Sequence, residues 1–144
     1  METRMAQHYM QLLQTVSTDE FVRRTSEVHD LKFDDFDSLL EFRRNHDEEI
    51  HVKYDAYMAW VNGFGHMLKE GLIDKEMIHS FGQGIQYIRA WDKWKPVFLE
   101  YREKRNLPQY MSGLEYLAEE MKKSRIERGW PSKWSEEIGM FVAE

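Results

Sequence analysis

The sequence predicts an all-α fold, a bundle of about six helices built around a central antiparallel helical hairpin. Three observations carry this. Apolar residues recur at steps of three and four along most of the 144 residues, the spacing that lines one face of a helix. No period-2 run of β-branched residues occurs, so no strand is expected. Between two long periodic stretches lies Lys69-Glu70-Gly71-Leu72-Ile73-Asp74. Gly71 is placed there for a left-handed C-cap, and Asp74 to accept from the free amides near Met77.

In chain order, residues 3–16 read as a first amphipathic helix with Met5, Tyr9, Leu12, Leu13 and Val16 on one side. Ser17-Thr18-Asp19-Glu20 reads as a capping box, Ser17 bonding the amide of Glu20, so a second helix starts at Thr18 and ends near Asp30. Leu31-Lys32-Phe33 is a connector. A short helix follows from Asp34 or Asp35, with Phe36, Leu39 and Leu40 inward. After a break at Asn45-His46-Asp47 comes the first arm of the hairpin, with Tyr54, Tyr57, Met58, Val61, Phe64 and Leu68 on one face. The second arm starts at Asp74 or Lys75 and carries Met77, Ile78, Phe81, Ile85, Ile88 and Trp91. Trp91, Trp94, Phe98 and Tyr101 continue one stripe across Pro96, which predicts a kinked but continuous helix there. A last long helix is expected from about Pro108 to Arg128, with Gly129 as its C-cap. Pro131 then opens a short terminal helix with Trp134, Ile138 and Phe141 on one face. The whole reads as a single helical domain, 1–144, with 130–144 as an appended helix.

Gly63 and Gly65 fall inside the first arm, Gly82 and Gly84 inside the second. Each interior glycine costs about 1 kcal/mol relative to alanine, so a compensating gain is expected. Close approach of the two arms, with room made for Trp60 or Phe81, is one source; a ligand-admitting cavity is the other.

Composition narrows the function classes. Apolar residues make up 42% and aromatics 14%, enough to build a core, and the absence of cysteine removes disulfides, thiolate metal sites and cysteine nucleophiles. The net charge of −6 disfavours attraction to phosphate backbones, so nucleic-acid binding is not expected. No signal-like segment and no apolar run near the ~20 residues of a bilayer span occur, which points to a cytoplasmic protein. Serines lack nucleophile-elbow context, and Gly-Phe-Gly and Gly-Gln-Gly lack phosphate-loop spacing.

Two Glu-x-x-His motifs, ending in His51 and His79, put a carboxylate and an imidazole on one helix face. At ~1.5 Å rise per residue they lie too far apart along the hairpin to share a di-metal centre. His66 and His79 are level across the turn, and with Glu70 and Glu76 they suggest a mononuclear divalent metal site with an open position. The competing expectation is a pair of ordinary surface histidines and no cofactor. Trp130, Trp134, Ile138 and Phe141 form a terminal apolar face that either caps the bundle or docks on a partner. With Lys122, Lys123, Arg125, Arg128 and Lys133 the same segment suggests, as a third reading, contact with an anionic membrane surface.

The turn at residues 69–76, the segment Trp91-Asp92-Lys93-Trp94-Lys95-Pro96 and the segment Glu100-Tyr101-Arg102-Glu103 resemble a group of small prokaryotic helical proteins known as a domain of unknown function. The resemblance covers about residues 50–120. It implies a helical fold and brings no activity and no catalytic residue. The leading functional expectation is a non-enzymatic module that binds a protein partner or itself. Trp60, Met67, Trp94 and the terminal aromatics suggest self-association, since together they exceed what one bundle must bury.

Overall fold

The computed structural model describes residues 2–80 and 83–143, with the side chains of residues 2, 5, 80 and 83 excepted. The expected inward positions of Met5 and Phe81, and the place of Gly82, lie outside what is described. Seven helices and one strand pair make up the described residues: α1 (Glu2–Val16), α2 (Asp19–His29), α3 (Phe36–Arg44), α4 (Glu49–Lys69), α5 (Lys75–Ser80), α6 (Gln83–Lys104), α7 (Ser112–Glu127), β1 (Lys133–Ser135) and β2 (Met140–Val142). The fold is all-α apart from that terminal pair.

Local chemistry sets most boundaries. Thr18 caps α2, its hydroxyl accepting from the Phe21 amide at 3.1 Å. Ser17, the expected cap, instead donates its hydroxyl back to the Leu13 carbonyl at 2.6 Å and so closes α1. Asp35 and Ser38 form a reciprocal capping box at the start of α3. Asp74 accepts from the Met77 amide at 2.9 Å, and Gly71 takes φ +76, a region that glycine enters without a Cβ penalty. α6 runs unbroken through Pro96, and its Trp91, Trp94, Phe98 and Tyr101 stripe is buried.

Two expectations fail at the C-terminal end. α7 starts at Ser112, four residues later than Pro108 would have it, because residues 108–111 form turns that end with Met111 at φ +58. Tertiary contact favours that path: Tyr110 packs on Tyr101 with ring centroids 4.5 Å apart and shares a 2.7 Å hydrogen bond with the Tyr54 hydroxyl. The terminal helix is a β-hairpin. Trp134 pairs with Phe141 across the strands, their rings 5.2 Å apart and edge to face. The four residues 136–139 turn the chain, with Gly139 at φ +64 donating its amide to the Ser135 carbonyl at 2.8 Å. The spacing 134, 138, 141 matches a helical face, but the same residues straddle a four-residue loop ending in glycine.

The central hairpin forms at its turn, and Trp60 and Phe64 of α4 reach Tyr87 of α6. Between the arms, however, the principal partner of each is α7. The glycines report this. A Cβ on Gly65 would meet the Gly113 carbonyl oxygen at 2.6 Å, and one on Gly84 would meet the Met121 side chain at 2.9 Å. The close approach expected between the arms is therefore an approach of each arm to α7. Gly63 faces open space. Trp94 is 1% exposed, and Trp60 and Met67 pack partly buried on the core, so the bundle absorbs these three of the side chains expected to be in surplus. A fully buried aromatic or aliphatic side chain of this kind contributes about 1.5–3 kcal/mol.

Candidate functional site

The residues expected to hold a metal are dispersed. His66 Nε2 lies 3.9 Å from Glu70 Oε1, both well exposed. Glu76 pairs with Arg128. His79 shares a 2.9 Å hydrogen bond with Ser124 Oγ and stands edge-on to Trp130. Burial first, then Arg125 and Lys75, lower the His79 pKa. His51, of the other Glu-x-x-His motif, packs against Phe42 and lies 3.2 Å from Asp55. Among the described residues no three histidine or carboxylate side chains converge on one point. Helical spacing aligned these groups on their own elements but said nothing about what α7 would bring against them.

The terminal aromatic face divides in the same way. Trp134 and Phe141 turn toward the bundle: Arg125 stacks over Phe141 at 3.9 Å, and Arg89 lies 5.6 Å from the centre of the Trp134 ring. Trp134 also donates from its indole to Glu136 at 2.9 Å. Trp130 and Ile138 stay exposed at 44% and 59%. The basic stretch is largely engaged: Lys122 bonds Asp92 at 2.5 Å, Lys123 lies 3.4 Å from Glu120, and Arg125 donates to the Pro131 carbonyl at 2.7 Å. Much of the charge expected to meet a membrane is spent within the fold. No helix among the described residues is long and apolar enough to cross a membrane.

Two features carry more weight, and both involve the N-terminal helices. The first is a surface. Residues 5–18 contain no Asp, Glu, Lys or Arg, in a chain that is 32% charged. Two comparable runs occur in the sequence, 77–88 and 56–68, and the latter lies in α4 and supplies Tyr57, Met58, Val61, Phe64 and Leu68 to the core. α1 buries little by contrast: Leu12 reaches 6% exposure, whereas Met10 is 51% and Leu13 38% exposed. Ala6, Met10 and Leu13 form a second apolar stripe at helical spacing, all of them exposed. The charge-free run was visible in the sequence; that α1 would sit outside the core was not.

The second feature is a buried polar cluster where α2, α4 and α6 meet. His29, in the last turn of α2, shares a 2.5 Å hydrogen bond with the Tyr57 hydroxyl and is 6% exposed. Its pKa is lowered to about 4, chiefly by burial, then by Arg89 and Lys93, with Glu136 acting the other way. The imidazole is therefore neutral at pH 7. Burial likewise pushes the Tyr57 hydroxyl well up. Lys93 donates to the His29 carbonyl at 2.5 Å and Trp94 to the Leu31 carbonyl at 3.1 Å, so α6 supplies donors to the carbonyl end of α2. Beside this cluster a cleft of about 230 Å³ opens between α2 and α6. Two side-chain oxygens of cleft-lining residues, Thr25 Oγ1 and Gln86 Oε1, are buried without a hydrogen-bond partner. Neither can be recognised from helical periodicity, since both lie at ordinary helix positions.

The model of the family described as Domain of unknown function (DUF4760) matches residues 1–121. The match reaches the N-terminal helices that the resemblance over residues 50–120 left out, and it stops before the β-hairpin. No curated protein and no solved structure matches the chain.

Proposed function

As the chain belongs to this family of unknown function, we propose that it is a non-enzymatic interaction module that self-associates through α1. The carrying observation is that α1 has no Asp, Glu, Lys or Arg from Met5 onward and that its Ala6, Met10 and Leu13 stripe lies outside the core. A second copy of the chain suits this face better than a charged partner does. Two copies that each carry a net charge of −6 repel, and contact is least costly where neither presents charge. Interface cores are depleted in charged residues and enriched in methionine. An antiparallel α1–α1 contact about a two-fold axis sets Met10 of one copy near Leu13 of the other and needs no second surface. The Gln7, Gln11 and Gln14 side chains supply an uncharged polar margin.

Light scattering across a concentration series tests this. The wild type is expected to rise from 17.5 kDa toward twice that mass. Met10→Glu combined with Leu13→Glu is expected to hold the single-chain mass and weaken association about a hundredfold, because each dimer would bury four unpaired charges. Stability of the single chain should change by no more than about 0.5 kcal/mol, since both positions are exposed. A wild type that keeps its single-chain mass throughout, or a double variant that associates unchanged, rejects the reading.

A further inference from the structure

We propose that the cleft between α6 and the C-terminal part of α7 is a binding site for a small monocarboxylate with a compact apolar body. Arg43, Arg89, Arg102 and Arg128 pair with the carboxylates of Asp55, Glu136, Glu115 and Glu76. Arg125 lines the cleft half-buried and has no carboxylate partner among the described residues. Its guanidinium lies 3.9 Å over the Phe141 ring and 5.5 Å from the centre of the Trp130 ring, and its Nε donates to the Pro131 carbonyl at 2.7 Å. What remains is the edge bearing the two Nη groups, whose parallel N–H donors suit a carboxylate lying in the guanidinium plane. Arg102 Nη2 is buried without a partner, whereas neither Nη of Arg125 is, so this edge is open to a ligand. A half-buried cation without a counter-charge is costly, and burial accordingly lowers the Arg125 pKa.

The rest of the lining sets size and polarity. The cleft measures about 170 Å³, and Ile85, Ile88, Met121 and Trp130 give it apolar walls. An apolar cavity of about 150 Å³ takes up benzene, so there is room here for one ring or a chain of similar bulk. Ile85 is 43% exposed, an apolar wall that the fold itself leaves uncovered. His79, also in the lining, already shares its Nε2 with Ser124 Oγ at 2.9 Å. Its pKa is lowered by burial first and then by Arg125 and Lys75, so the imidazole stands in a positive field. A carboxylate on Arg125, with its apolar body against Ile85, Ile88 and Met121, supplies the missing counter-charge and covers the open wall.

Benzoate and benzamide, alike in shape but not in charge at pH 7, are the probes. In calorimetric titrations of the full chain, benzoate is expected to bind one to one, and benzamide about tenfold more weakly. Benzoate should also raise the His79 pKa, read from its imidazole proton resonances, because a nearby anion favours the protonated ring; benzamide should leave it in place. Arg125→Gln is expected to remove the preference for benzoate, and Ile85→Trp to weaken benzoate about tenfold by filling the cleft. Absence of both heat and a His79 shift up to the solubility limit of benzoate overturns the proposal. Benzoate and benzamide affinities within about threefold of each other overturn it too. Benzoate that binds without moving His79 sits elsewhere on the protein and likewise overturns it, and none of these three outcomes needs a variant to fold.

Discussion

Gly113→Ala is expected to destabilise the protein by about 3 kcal/mol, lowering the melting temperature by roughly 10 °C. A Cβ at that position would stand 2.5 Å from the Asn62 Cα and 2.6 Å from the Asn62 side-chain oxygen, which accepts from the Gly113 amide at 3.1 Å. The first neighbour is backbone and cannot rotate away, so α4 and α7 must separate. Separation would loosen the seam where Gly65 faces Gly113 and Leu114 and Leu117 reach full burial. Gly65→Ala should behave similarly, its Cβ meeting the Gly113 carbonyl at 2.6 Å. Gly63→Ala, two residues away on the same helix, is the internal control. Nothing lies within 4 Å of its Cβ, and removing a helical glycine is expected to stabilise by about 1 kcal/mol. Urea unfolding midpoints at constant m measure all three. A Gly113→Ala protein within about 1 kcal/mol of the wild type would show that α4 and α7 do not meet this closely.

The second large effect is on acid stability. Between pH 7 and pH 4 the wild type is expected to lose about 3 kcal/mol more than a His29→Gln variant does. The sign follows from which state binds the proton first. The unfolded imidazole protonates near 6.5, whereas in the fold its pKa is lowered to about 4, by burial above all and then by Arg89 and Lys93. Between those values the unfolded state holds the extra proton. The contribution is therefore fully present above about pH 6.5, is lost as pH falls toward 4, and changes no further once both states are protonated. Carboxylates add their own acid slope, which is why the difference between the two proteins is the readout. Parallel stability curves for wild type and variant over this range would place His29 in water rather than against Tyr57.

Much of this protein was legible along the chain. Gly71 and Asp74 mark their turn through conformational freedom and a local carboxylate-to-amide bond, both of which act within four residues. Leu12, Val28, Leu39, Val61 and Leu117 occupy inward positions, as periodicity requires. Errors arose where two local solutions were close in energy. Ser17 and Thr18 compete for one cap, and Thr18 wins because Ser17 closes the preceding helix. Residues 133–142 satisfy a helical face and a hairpin alike, and the docking of Trp134 and Phe141 beneath Arg89 and Arg125 favours the hairpin. For the candidate site, the charge-free run of α1 was readable; the unpaired oxygens of Thr25 and Gln86 were not, because being unpaired is a property of surroundings.

By itself, then, the sequence determined where most of the helices lie, several of their caps and most of the positions they bury, since those follow from spacing and from hydrogen bonds spanning a turn or less. Only the tertiary structure decided which face meets which. It placed α7 between the arms of the hairpin, set Glu76 against Arg128 and His79 against Ser124 while His66 stayed beside Glu70, and left α1 with an apolar stripe facing outward. The physical reason is that hydrophobic burial is non-directional. An apolar stripe specifies that it will be covered, and the choice of cover falls to backbone approach and packing, as at Gly65 and Gly113.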